Sequence, residues 1–353
     1  MHMSCYSSYD DALDALAPYG IALENGNFNH APMVAEALCA LGRPEAVTSW
    51  IERYRERMQL RPAAGGTIRG DGWRDALGRR ELFTDWSLYF ANELEEARWP
   101  VVVDRWVERL APGFCAAATH GVIRLGHAVR AIATGETPGR RREIADALAS
   151  WAATWQRLPG GDARPFEALP PREAITRVPR VPPAQRRSGN IVAALAALDD
   201  FPAFLPVIGW IDGAGPLAPQ IAELTELFAR VYMANAHDIA TAIAFIHAVT
   251  SIAALGNIVP HVSEAAARNA LRYAWQTGCA LYACFASAGA FAESVAPCEK
   301  SEAALAEQAI ANGDEHVIKF TEACLSRHAL ARSVAYLAAA DHVDRVVRRR
   351  RPG

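Results

Sequence analysis

Apolar and polar positions recur along most of this chain at the i, i+3, i+4 spacing of a helix, and alanine and leucine fill most of the apolar places. That rhythm predicts helices over residues 9–16, 32–41, 45–57, 73–77, 83–96, 99–110, 115–132 and 140–154. It resumes over 191–198, 216–234, 238–254, 263–285, 302–312, 315–326 and 330–347. Val101 to Val103 is the one conspicuous β-branched run, and it lies inside an amphipathic pattern, so strands are expected to be absent or incidental. The predicted class is all-α. Residues 157–190 break the rhythm with seven prolines and many arginines, which reads as a long irregular excursion, either a linker or a strap over the helical body. A single large multi-helix domain is expected, because the candidate site residues fall on both sides of that segment. No 34- or 40-residue self-similarity suggests a solenoid.

One junction in this pattern carries chemistry. Asn312-Gly313 has the sequence of a helix stop and Asp314 suits the N-cap of the next helix. In that helix His316 and Lys319 are three residues apart and leave the same face. Of 36 basic residues only Lys300 and Lys319 are lysines, so a lysine in an apolar run invites a reason specific to its amine. A buried lysine can lose its proton and act as a nucleophile, and with carbon dioxide it gives a carbamate, an anionic metal ligand. A lysine snorkelling from a helix edge is the alternative.

Four more histidines stand in informative places. His30 precedes Pro32 at a helix entrance. His120 and His127 share a helix face but lie roughly 10 Å apart along the axis, so one small metal site takes one of them, hardly both. Arg124 between them suits an anionic substrate or a supporting carboxylate. His247 sits in the apolar run Ile243 to Thr250, where a buried imidazole needs a partner, either a metal or a backbone carbonyl. For each of these a hydrogen-bonded core histidine is the alternative reading.

Composition removes several other classes. A net charge of -3 over 353 residues calls for no nucleic-acid partner, and the basic tail 345–353 reads as a flexible, solvated end. Seven cysteines without a CxxC point to reduced thiols in a cytoplasm. No signal peptide is visible, and the apolar window 280–292 is too short to span a bilayer, so a soluble cytoplasmic protein is expected. HExxH, Glu-x-x-His, GxGxxG, GxxxxGK[ST] and GxSxG are all missing.

Five blocks in order resemble the questin oxidase-like proteins, helical oxygenases of fungal aromatic polyketide pathways with bacterial relatives. They are Asn29-His30 before a helix ending Ala40-Leu41-Gly42, Gly72-Trp-Arg-Asp-Ala-Leu-Gly78, His120-Gly-Val-Ile-Arg-Leu-Gly-His127, His247-Ala-Val-Thr-Ser251 and Asp314-Glu-His316-Val-Ile-Lys319. The resemblance implies a mononuclear non-haem iron(II) held by His30, His120, His247, His316 and carbamylated Lys319, leaving a sixth place for dioxygen. It implies oxidative carbon–carbon cleavage, of Baeyer–Villiger type, on a polycyclic aromatic or quinone-like substrate such as an anthraquinone. With the metal so saturated, the substrate is expected beside the centre, against Arg124 and His127 as catalytic pocket residues, with Phe28 and Trp73 as further candidates. The electrons come from NADPH, for which no motif speaks, or from a separate reductase acting first, which is preferred. A zinc hydrolase with a carbamylated lysine and a non-catalytic helical binding protein are the competing readings.

Overall fold

The protein is described from a computed structural model covering residues 6–66, 68–161, 168–211 and 213–347. It is all-α, and its residues group into two compact units, Met1–Gln156 with Asn257–Ala267, and Arg157–Gly256 with Arg268–Gly353.

The first unit is built on α1 (Ser7–Leu16), α2 (Ala31–Ala40), α3 (Ala46–Tyr54), α4 (Trp73–Ala76), α5 (Phe83–Glu96), α6 (Trp99–Leu110), α7 (His120–Ala133) and α8 (Pro138–Ala153). Helix α8 starts where Thr137 Oγ1 accepts from the Arg140 N–H and Pro138 takes the first turn. It packs against α5 and α7. Contact with α7 is close because residue 121 is glycine: a Cβ there would sit 2.7 Å from Trp151 Cγ and 2.8 Å from Trp151 Cα. On the α5–α6 side, Trp86, Tyr89, Phe90 and Trp106 interlock, with ring centroids 4.8 to 5.7 Å apart.

Strands are not wholly absent. β1 (Tyr19–Leu23) pairs antiparallel with β2 (Met58–Leu60), Tyr19 opposite Leu60 and Leu23 opposite Met58, with a register irregularity between. The pairing fixes the chain that leads into α2. A second departure matters more: residues 115–119, expected to open a helix, form a turn, and α7 begins only at His120.

The second unit contains α9 (Pro171–Arg177), α10 (Ile191–Leu195), α11 (Leu217–Asn235), α12 (Ile239–Ile258), α13 (Glu264–Phe285, entered from the first unit), α14 (Glu302–Asn312), α15 (Glu315–Leu330) and α16 (Val334–Val346). The irregular stretch 157–190 is a strap, not a free linker. It carries α9, buries Ala174, Ile175 and Val181, and its Val181 N–H donates to Ala283 O. Residues 162–167 of that stretch and 348–353 of the basic tail lie outside the described residues. The most apolar long helix is not near 280–292 but is α12. Its extension Ile239–His261 is long and apolar enough to cross a membrane, and 72% of its most apolar window is buried within the structure. Among the described residues six cysteines are free thiols, and all of them except Cys298 are buried.

Candidate metal centre

In the first unit, α2 and α7 deliver two imidazoles to one point. His30 is the N-cap residue of α2. Its backbone N–H donates to Tyr54 Oη, and the preceding Asn29 accepts from Ala31 N–H while donating to Gly20 O. The entrance to α2 is thus tied to α3 and to β1. His120 is the first residue of α7. The two Nε2 atoms are 2.9 Å apart, with both residues buried. Imidazole nitrogens about 2.1 Å from one ion in neighbouring coordination places would lie roughly 3 Å apart. Phe28 stacks on the His120 ring, centroids 4.7 Å apart at 17°.

The backbone before His120 is unusual. Ala117, Ala118 and Thr119 have φ of 46°, 57° and 70°, three consecutive non-glycine residues in the left-handed region. Each such residue costs about 1–2 kcal/mol. Thr119, in the N-cap place, makes no side-chain cap hydrogen bond, and its buried hydroxyl has no hydrogen-bond partner among the described residues. The turn brings the Ala117 carbonyl under His120, where it accepts the backbone N–H at 3.4 Å and meets ring Nδ1.

In the second unit, α12 and α15 supply a matching pair. His247 and His316 have ring centroids 5.6 Å apart. The helix junction is built as its residues indicate: Gly313 closes α14 at φ 76°, and Asp314 Oδ1 accepts the His316 N–H at 2.8 Å. Lys319, one turn further on, is buried. Burial outweighs the nearby Glu315 and Asp314 carboxylates and pushes its amine down from 10.5 to about 7. His247 is driven well below the usual imidazole value, first by burial and then by His316 and Lys319, so it is neutral at physiological pH.

Three of the four imidazoles have Nδ1 against an acceptor of their own neighbourhood. For His247 this is Ile243 O at 2.7 Å, for His316 it is Asp314 Oδ1 at 3.2 Å, and for His120 it is Ala117 O. An oxygen acceptor requires the proton on Nδ1, which leaves the Nε2 lone pair for a metal. Imidazoles so oriented, with His247 among them held neutral, beside an amine lowered to about 7 form a donor set suited to a borderline divalent ion.

Arg124 and His127 each meet a carboxylate of the chain. The Arg124 guanidinium makes a buried bidentate pair with Glu143 of α8, at 2.7 and 2.8 Å, the supporting carboxylate that was one of the two partners expected for it. His127 Nδ1 lies 2.6 Å from Glu36 Oε2 on α2. Glu36 also accepts from Arg130 Nε and Tyr6 Oη, both at 2.7 Å. Burial alone would raise the Glu36 carboxyl, but Arg130 and His127 overcome it and hold it at about 2. These pairs tie α7 to α8 and α2. Trp73 is core rather than pocket: it meets Trp106 edge-on at 5.2 Å, with the guanidinium groups of Arg74 and Arg109 4.4 and 5.2 Å from its ring centroid. Glu36, an acid in an otherwise apolar helical run, could have been found from the sequence, whereas Glu143 follows three arginines and looks like part of a solvated face.

An all-α chain carries imidazoles directed by internal oxygens together with a lysine amine at about 7, the donor types of a metal site. The model of one family, Questin oxidase-like, matches residues 28–324. The chain belongs to the questin oxidase-like family, which points to an oxidase or oxygenase and so to an oxidoreductase. The match takes in His30, His120, His247, His316 and Lys319. No curated protein matches the chain.

Proposed function

We propose that this protein is a mononuclear non-haem iron oxygenase that cleaves a carbon–carbon bond of a polycyclic aromatic or quinone-like substrate, with His30, His120, His247, His316 and carbamylated Lys319 as the metal ligands. In this reading the chain works as a single domain. The supporting observation is the shared orientation of His120, His247 and His316, each with Nδ1 on an internal oxygen, alongside a lysine whose amine sits at about 7. Bound iron(II) would supply the one-electron chemistry that dioxygen needs to react with a closed-shell organic molecule.

The remaining roles belong to the chain. Neutral Lys319 attacks carbon dioxide, forming an N–C bond and losing one proton, and the product is a carbamate anion. One anionic ligand leaves iron(II) at a net charge of about +1, which favours an enolate or hydroquinone anion nearby. Phe28 shields His120 from water. The Arg124–Glu143 and His127–Glu36 pairs hold α7 in place, so these two residues act on His120 by position and not by touching substrate. Inserting one atom of dioxygen while the other becomes water consumes two electrons and two protons. A separate reductase that delivers the substrate in its reduced form supplies them, in preference to NADPH at this chain. Partners are then small molecules, in a soluble cytoplasmic setting without nucleic acid or membrane.

Elemental analysis is expected to find iron in the purified protein. His316→Ala and Lys319→Ala should lose both the iron and dioxygen uptake on a reduced anthraquinone. Full metal content with turnover in either variant refutes the reading. Imidazole and carbamate suit zinc equally, so zinc in place of iron, with activity in the absence of dioxygen, would establish a carbamate-dependent hydrolase instead.

A further inference from the structure

We propose that the left-handed turn Ala117-Ala118-Thr119 is a positioning device that fixes His120 as its Nδ1–H tautomer and aims Nε2 toward His30. The inference rests on the reading of His120 as a metal ligand, and it concerns how that ligand is prepared before any metal arrives.

The geometry shows how each ring obtains its acceptor. His247 lies inside α12, so the carbonyl four residues earlier, Ile243 O, is already beneath its ring. His316 lies one residue beyond the start of α15, where the N-cap carboxylate of Asp314 reaches its Nδ1. His120 has neither resource. It is the first residue of α7, and the preceding Thr119 offers no side-chain cap. A carbonyl must therefore come from the chain before the helix; a right-handed approach through Cys115 would offer Ala116 O from within a longer α7, and the observed chain uses another. Instead three residues turn left-handed, and Ala117 O meets both the backbone N–H and the ring Nδ1 of His120. With Nδ1 donating, Nε2 of His120 is the acceptor in its 2.9 Å contact with His30 Nε2.

Neither alanine nor threonine favours this backbone, and Thr119 also buries a hydroxyl that finds no partner among the described residues. Strain of this kind persists only where surrounding packing enforces it, and it marks sites held ready for a ligand. Packing does enforce it: Cys115, Ala116 and Thr119 are buried, and Gly121 is seated against Trp151. Relieving the strain should stabilise the fold while loosening His120.

The test uses the full chain, metal-free, with 15N-labelled histidine at mildly alkaline pH, and His120→Gln to assign the signal. The His120 ring is expected as the Nδ1–H tautomer; an Nε2–H ring, or an averaged pair, overturns the proposal. Ala118→Gly is the second arm, because glycine accepts positive φ without strain. It should raise the Tm of the metal-free protein by about 1–3 °C and weaken Co(II) binding several-fold, since a freer His120 must be ordered when the ion binds. Unchanged Co(II) affinity overturns the proposal whatever the Tm does. The tautomer is read without metal, so a wild-type protein that fails to bind Co(II) or iron defeats the metal-centre reading and leaves this one to be decided by the NMR signal.

Discussion

Replacing Lys319 with methionine should stabilise the metal-free protein, and by more at lower pH. The side chain is buried, and its amine is pushed from 10.5 in the unfolded chain to about 7 in the fold, chiefly by burial. Between those values the unfolded state holds a proton that the folded state does not, so stability rises with pH across that window. Above 10.5 both states are neutral and no penalty remains. Below about 7 both are charged, and the fold carries the full cost of a buried ammonium. At about 1.4 kcal/mol per pH decade the interval corresponds to on the order of 5 kcal/mol. Methionine has a similar length and no charge, so Lys319→Met removes that cost and leaves the rest of the packing nearly intact. Urea unfolding of both proteins, in chelator and carbon dioxide-free buffer from pH 6 to pH 10, measures the difference directly. The variant should be the more stable by several kcal/mol at pH 6, with the gap closing as pH 10 is approached. Parallel profiles would show that the amine is solvated, and the case for a carbamate at that position would fall with it. The same substitution should abolish iron retention, which separates the gain in stability from the loss of a ligand.

Glu36→Gln should destabilise by about 3 kcal/mol, because it removes the buried carboxylate that the half-buried Arg130 and the buried His127 both face; the Tm reports it. In the parent, Glu36 contributes on the order of 3 kcal/mol that is present above 4.5 and lost as pH falls toward 2, so the acid limb of the stability profile should flatten in the variant. Gly121→Ala places a methyl 2.7 Å from the Trp151 ring and 2.8 Å from its Cα, a backbone atom that cannot swing aside. A loss of about 1–3 kcal/mol is expected, together with weaker metal retention as α7 shifts; a variant with unchanged Tm and metal content would contradict the packing described.

Sequence periodicity located most helices because their apolar faces repeat at 3.6 residues over ten or more positions, as in α6 and α11. The entrance to α15 was legible to the residue, since Gly313 and Asp314 are strong local signals for stopping and starting a helix. Residues 115–119 were not legible. Nothing local distinguishes Cys-Ala-Ala-Ala-Thr from a helix start, and only the packing of its neighbours makes a left-handed turn tolerable. The β1–β2 pair was missed because three to five residues are too few to show alternation. Arg124 illustrates a different limit. Its face of α7 was read correctly, but the partner it meets, Glu143, is nineteen residues away on another helix, and sequence spacing cannot say which anion fills a guanidinium's fork.

The interlocked rings on α5 and α6 have a spectroscopic consequence. Seven of the nine tryptophans, at positions 50, 73, 86, 99, 106, 151 and 155, belong to the first unit, and the second holds only Trp210 and Trp275. Intrinsic emission is therefore a lopsided reporter: it follows the melting of the unit that carries His30 and His120 and is comparatively dark to the one that carries Lys319. A denaturation curve followed by light and another followed by circular dichroism weigh the two halves of the chain differently, and any interval between their midpoints measures how tightly the units are thermodynamically joined.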